Sequence, residues 1–303
     1  MDLRHLITFR SVANLMSFSR AAASLDYAQS TVTLHIQSLE DEMGVRLFNR
    51  IGKKIELTEA GNRLLRYSER LIDLAEETVA GVSGQDDVTG TLTVGAAETV
   101  CTYRLPQVLR QFRQQMPQVR LIFRPMPYEA LFPSVVEGKV DIAFVLEQSI
   151  HSDQLYIERL TCEPLLIVAA TDHQLVNCSE ISLRDLAGEP LLLTEKGCCY
   201  RALFERALLA EGVPPTSNME FSSVEAIKQC VMANVGVALL PQVAVAKELK
   251  AQQLVVLPYH AANFEVYTQM LWHKDKWVSP AMQMFLDISR RLLREIEAQA
   301  FAK

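Results

Sequence analysis

No apolar run in this chain approaches the roughly 18 residues that a membrane-crossing helix needs. The opening Met1-Asp2-Leu3-Arg4-His5 has no charged-then-apolar leader and enters a helical pattern at once, so the expected location is the cytoplasm, with no membrane partner. Aromatic residues make up only 7%, and neither sign of charge dominates: 30 Lys and Arg against 36 Asp and Glu leave a net −6. That balance excludes a chain that coats nucleic acid indiscriminately. It does not exclude a small face that reads it, because phosphate attraction is local and screened beyond about 10 Å. The six cysteines (Cys101, Cys162, Cys178, Cys198, Cys199, Cys230) have no paired spacing of the zinc type, and a reducing compartment gives no reason to expect a disulfide framework. The six histidines are scattered without ligand spacing, and no G-x-G-x-x-G, G-x-S-x-G or Walker-type pattern occurs. An enzyme is therefore not expected, nor a catalytic residue, a metal site or a cofactor.

What is present implies several cores. A chain of 303 residues that is 49% hydrophobic can bury more than one. The stretch Phe18 to Leu39 reads as two short helices. Ser19 is placed to cap the first, on which Ala22 and Leu25 share a face. Asp26-Tyr27-Ala28 is a break, and Gln29 or Ser30 opens the second helix, whose apolar positions Val32, Ile36 and Leu39 recur at spacings of four and three. The other positions, Gln29, Ser30, Thr31, Thr33, His35 and Gln37, are small or hydrogen-bonding and nearly uncharged. Spacing alone allows an ordinary helical hairpin or a helix-turn-helix, whose second helix lies in the DNA major groove, where short donors and acceptors suit base edges. The run Leu47 to Thr58 then reads as two short strands around a basic Gly turn, a wing suited to phosphates.

The residues Leu3, Phe9, Val12, Ser17-Phe18, Ala21-Ala22, Leu25, Gln29-Ser30, Val32-Thr33, Ile36, Leu39-Glu40, Gly44, Leu47-Phe48, Arg50 and Leu57-Thr58-Glu59-Ala60-Gly61 carry a resemblance. Residues 1–60 resemble the winged helix-turn-helix of the LysR-type transcriptional regulators. The resemblance implies a DNA-contacting set of Ser19, Arg20, Gln29, Ser30, Thr31, Thr33, Leu34, His35 and Gln37, with Arg50, Lys53 and Lys54 anchoring the wing on phosphates. Family members often carry Ser, Pro and Arg where this chain has Ala28, Ser30 and Leu34, so operator preference should differ in detail.

Residues 61–90 read as a long amphipathic helix with an apolar seam at Leu64, Leu71, Ala75 and Val82, followed by a polar, Gly-containing hinge at 81–90. The seam suits a surface helix or, as in LysR-type regulators, a dimerisation helix. From Thr91 onward, strand patterns (91–96, 119–124, 140–146, 164–170, 190–194, 218–221, 236–240, 254–257, 265–272) alternate with helical ones (near 104–115, 128–138, 200–211, 223–234, 241–250, 279–298), which points to α/β architecture with parallel sheets. Breaks near 162 and 266 divide 91–303 into lobe I (91–162 and 267–303) and lobe II (163–266). This resembles the family's effector domain, built like a periplasmic binding protein of type 2 from two Rossmann-like subdomains. The resemblance implies promoter or operator DNA, a small-molecule effector and self-association (a dimer through the linker helix, a tetramer by family habit) as partners, with RNA polymerase a candidate. It also implies that closure of the lobes alters DNA bending rather than base contacts.

In such sheets small ligands bind beyond the carboxyl ends of strands. The expected effector residues are Ala97, Glu98, Thr99, Val100 and Thr102 after the first strand, Met126 and Leu146 after later ones, and Gly197, Cys198, Cys199 and Ser222 in the other half. Glu98 and Glu195 set negative charge at these mouths, either balanced by Arg104, Arg201 or Lys196 or selecting an amine. The vicinal Cys198-Cys199 raises an alternative, a thiol-based redox sensor of the same fold. Cys199 stands where one peroxide-sensing branch of the family has its first cysteine, but Leu208 stands where the second would be.

The division of labour on DNA is directly measurable. Lys53→Ala should weaken binding to all duplexes alike and flatten the salt dependence. Gln29→Ala should cost about 1–3 kcal/mol at chiefly one base position. Titrations against operator variants at several salt concentrations separate the two, and identical behaviour on every operator would contradict the assignment.

Overall fold

A computed structural model describes residues 1–51, 54–82, 89–214, 219–260 and 264–300. Lys53 at the wing tip and most of the expected hinge lie outside the described residues. Two units separate, residues 1–90 with 118–120 and residues 91–117 with 121–303.

The first unit holds α1 (Leu3–Leu15), α2 (Phe18–Leu25), α3 (Gln29–Met43), the antiparallel pair β1 (Phe48–Ile51) and β2 (Lys54–Leu57), and α4 (Glu59–Val82). Its core is Leu6, Phe9, Val12, Ala21, Val32, Ile36, Leu39, Leu47 and Ile72. Ser17, not Ser19, caps α2: its hydroxyl accepts from the Arg20 N–H at 3.3 Å. The helix starts two residues earlier than expected because Phe18 is buried against Phe48 at 5.8 Å between ring centres, which draws it into the first turn. Ala28 precedes α3 and supplies no side-chain cap.

Two residues fix the wing to these helices. The buried Glu40 takes the Leu47 N–H at 2.8 Å on one carboxylate oxygen and the exposed Arg46 at 2.9 Å on the other. Gly61 in α4 lets that helix pass against the same segment, since a Cβ there would sit 2.2 Å from the Leu47 carbonyl oxygen. Thr58 opens α4, its hydroxyl donating to the Arg46 carbonyl at 2.7 Å and accepting from the Gly61 N–H at 2.9 Å.

The apolar positions of α4 divide differently from the expected seam. Leu64 is buried with Ile72 in the unit's own core, whereas Tyr67, Leu71 and Leu74 form an exposed row. The side chain of Val82 lies outside the described residues.

The second unit is built from β3 (Thr91–Ala96), α5 (Glu98–Tyr103), α6 (Leu105–Gln115), β4 (Arg120–Pro125), α7 (Tyr128–Val136), β5 (Ile142–Glu147), β6 (Leu155–Ala169), β7 (Leu192–Thr194), α8 (Cys199–Ala210), β8 (Met219–Phe221), α9 (Val224–Met232), β9 (Ala238–Pro241), α10 (Gln242–Lys250), β10 (Val255–Val256), β11 (Phe264–His273) and α11 (Pro280–Ala300). The strands run β10-β6-β11-β5-β3-β4, with β9 also on β6 and β7 paired to β8. Parallel pairing was expected and holds for β3 with β5 and for β7 with β8, but β11 is antiparallel to both β5 and β6, as β6 is to β9 and β10. The breaks expected at 162 and 266 fall inside two continuous strands, paired there Glu163 to Val266 and Cys162 to Tyr267.

β6 begins at Leu155, well before the expected 164. Its first half sets exposed Tyr156 and polar Glu158 among apolar residues, and Glu158 is held by Arg290 at 3.0 Å and Arg294 at 2.7 Å from α11. A helix far along the chain thus satisfies what reads locally as loop polarity.

The Glu40 contact predicts a stability difference. Glu40→Ala strips the acceptor from the buried Leu47 N–H and should cost about 1–3 kcal/mol. Glu40→Gln keeps a carbonyl acceptor and should cost less, as urea unfolding of the two variants would show.

Candidate functional site

In α3, Gln29, Ser30, Leu34 and Gln37 are exposed and Thr31 and Thr33 are half-buried, a surface of short polar groups around one leucine that is 63% exposed. The Thr33 hydroxyl donates to the Gln29 carbonyl at 3.0 Å, which leaves its lone pairs and methyl for any outside contact. Ser19 and Arg20 are exposed in the first turn of α2, with the Arg20 guanidinium donating to the Leu15 carbonyl. His35 departs from expectation. Its Nδ1 is hydrogen-bonded to the Thr8 hydroxyl at 2.9 Å, and its ring packs 4.5 Å from His5 and 5.6 Å from Tyr27. Burial, followed by the nearby His5 and Arg4 charges, holds its pKa below the usual histidine range. His35 therefore braces α3 against α1. Arg50 and Lys54 lie on the wing strands with side chains outside the described residues, as Lys53 is entirely.

In the second unit a cleft of about 420 Å³ is lined by Ala97, Glu98, Thr99, Met126, Leu146, Gly197, Cys198, Cys199 and Ser222, all expected there. Two expected residues are not in its lining. Val100 is fully buried in the core because it lies on the inward side of α5, and Thr102 is exposed beside Glu98. The lining also takes Tyr128 and Glu129 from the start of α7, with Thr194, Glu195, Lys196, Tyr200, Phe221 and Val224. The α7 pair was overlooked because Pro127 precedes that helix without a capping side chain, so the usual small-residue signal is missing.

The geometry of the cleft follows from a few contacts. Gly197 sits at φ +92°, a backbone conformation that favours glycine, and a Cβ there would meet a Glu129 carboxylate oxygen at 3.1 Å, so the turn before α8 runs close to the start of α7. The Tyr128 hydroxyl donates to Glu147 at 2.8 Å; burial first, and then that carboxylate, push the phenol's pKa up. Burial raises the Cys198 thiol and is the largest single influence, but hydrogen bonding to its sulfur, that of Cys199 foremost, together outweighs it and brings the thiol down to about 7. Cys199 is pushed up by that same bond and by its own burial. Leu208 is fully buried, so position 208 offers core packing and no thiol.

Behind the cleft, Arg104 at the end of α5 meets Glu163 of β6 through two contacts of 2.6 Å, and the Thr268 hydroxyl of β11 donates to the same carboxylate at 2.9 Å. The polar heart of the second unit thus lies where its two long strands pair.

A winged helix-turn-helix in one unit and a polar cleft in an α/β unit crossed by two strands define a class: DNA-binding regulators with a ligand domain. Residues 3–62 match the model of the bacterial regulatory helix-turn-helix protein, lysR family, and residues 85–294 match the LysR substrate binding domain. The chain is 42% identical to the HTH-type transcriptional regulator YwqM of Bacillus subtilis over 97% of its own length and 100% of that protein's. Its fold is similar to a full-length OxyR variant from Pseudomonas aeruginosa (TM-score 0.73, 24% identity, 96% and 95% of the two chains) and to full-length CbnR in complex with its target DNA (TM-score 0.61, 22%, 96% and 99%). The protein belongs to the LysR family of transcriptional regulators, with a DNA-binding helix-turn-helix and an effector-binding domain. Among the described residues no helix is long and apolar enough to cross a membrane.

Proposed function

We propose that this regulator acts in the cytoplasm without catalysis, and that a small molecule seated in the 420 Å³ cleft sets its action on promoter DNA. The carrying observation is that the cleft draws on segments before β6 and on segments after it, while β6 and β11 run unbroken between the two groups. A ligand touching both groups favours one arrangement of them only through its differential contacts. On the DNA side, Gln29, Ser30, Thr31, Leu34 and Gln37 face base edges. Ser19, Arg20, Arg50, Lys53 and Lys54 hold phosphates. The exposed row Tyr67, Leu71 and Leu74 of α4 suits pairing of two copies, and a symmetric dimer reads two half-sites. The effector domain so defined spans 91–303, with the linker at 61–90. Thiol sensing has less support, because Leu208 is core and position 208 supplies no second thiol for Cys199.

A nuclease footprint on the intergenic DNA upstream of the protein's own gene tests this reading. A protein-free small-molecule cell extract should change the footprint, and Ser222→Trp, which fills the cleft, should abolish that change. An extract effect that survives Ser222→Trp would place the effector elsewhere.

A further inference from the structure

Glu98 lines the cleft, and among the described residues no cation forms an ion pair with it. The arginines that were candidates for that task are committed elsewhere. Arg104 is bound to Glu163, and Arg201 to Glu205 at 2.9 Å and Glu220 at 2.6 Å. Lys228, whose charge reaches Glu98, is held by Glu225 and Glu248 at 2.8 Å each. The Oε2 atom of Glu98 is buried and has no hydrogen-bond partner. Glu129 and Glu195 line the same cleft, against Lys196 as the cationic lining residue, so its walls carry an excess of negative charge. Burial pushes the Glu98 carboxyl above the usual carboxylate range, further than the Thr102 and Thr99 hydroxyls pull it back. A buried carboxylate oxygen without a partner is costly, and an arriving cation removes that cost.

A second observation stands on the other wall. Thr194, at the end of β7, is 8% exposed, and its hydroxyl is buried in the lining with no hydrogen bond of acceptable geometry, although the Cys198 sulfur is a near neighbour. Close by, α8 begins without a side-chain cap, and a helix N-terminus with free N–H groups favours negative charge. An unused hydroxyl beside such a terminus is a site for an oxyanion, not for an amine.

We propose that the cleft takes a small zwitterion, its protonated amine on Glu98 and its carboxylate or comparable oxyanion on Thr194 and the start of α8. The proposal rests on the cleft being the effector site. A dianion without an amine would face Glu98, Glu129 and Glu195; an amine without an oxyanion would leave Thr194 and α8 unpaired. The apolar walls of Met126, Leu146 and Phe221 and the 420 Å³ volume suit a body of amino-acid size.

The test is calorimetric titration and thermal shift of the full-length protein with three probe sets: the common L-amino acids, the matched 2-hydroxy acids and the matched primary amines. One or more amino acids should bind and raise the melting temperature, with their hydroxy-acid and amine counterparts about ten- to a hundredfold weaker, the worth of one charged hydrogen bond. Glu98→Gln and Thr194→Val should each weaken that amino acid by at least about tenfold. Thr194→Val loses no internal hydrogen bond, so its unliganded melting temperature should not fall, and this variant carries the test should Glu98→Gln fail to fold. A hydroxy acid or amine binding as well as its amino acid, or an affinity indifferent to both substitutions, would overturn the zwitterion. If no probe binds while cell extract still alters the DNA footprint, the ligand class is wrong and the effector reading stands. If extract alters nothing, both fall.

Discussion

The carboxylate of Glu163 organises the effector domain. It is 1% exposed, sits on β6 opposite Val266 of β11, and receives both Arg104 and the Thr268 hydroxyl. A buried ion pair adds little net stability over apolar packing, but removing one partner leaves an uncompensated charge at a cost of about 3–5 kcal/mol. Its consequence is therefore geometric. The end of α5, whose other residues Glu98 and Thr99 line the cleft, is tied to the two strands that continue into the rest of the domain. The same commitment of Arg104 leaves Glu98 unbalanced, so one contact both builds the frame and sets the charge of the cleft.

The DNA-binding unit uses the same logic with different residues. Glu40 and Gly61 act on one segment, the first by accepting the Leu47 N–H and the second by letting α4 pass over its carbonyl. The His35 ring, packed among His5, Thr8 and Tyr27, locks α3 to α1. The polar surface that remains on α3 is thereby held on a rigid support, which recognition by short side chains requires.

Much of this was legible in the residues. Val32, Ile36 and Leu39 mark the buried face of α3 by spacing alone, and Thr58 through Gly61 announces the start of α4. What escaped has a common cause: side chains satisfied by partners remote in sequence. Glu158 makes the first half of β6 look like loop, and only Arg290 and Arg294 reveal it as strand. Parallel and antiparallel pairing look alike in an apolar run, so the direction of β11 beside β5 could not be read locally. Periodicity places His35 near the exposed face of α3, and its contacts with His5 and Thr8 on α1 could not be read locally. Ser19 lies two positions from the true cap, Ser17, and Tyr128 and Glu129 begin a helix without the usual capping signal.

The most direct test of this account is native-state amide hydrogen exchange across Thr161–Leu165 and Phe264–Gln269 in the full-length protein and in Glu163→Ala. The paired strands should be among the slowest-exchanging segments of the effector domain, opening only with its global unfolding, and Glu163→Ala should lower their protection more than that of β3. Exchange there by local opening, unaltered in Glu163→Ala, would contradict the claim that this carboxylate holds the domain together.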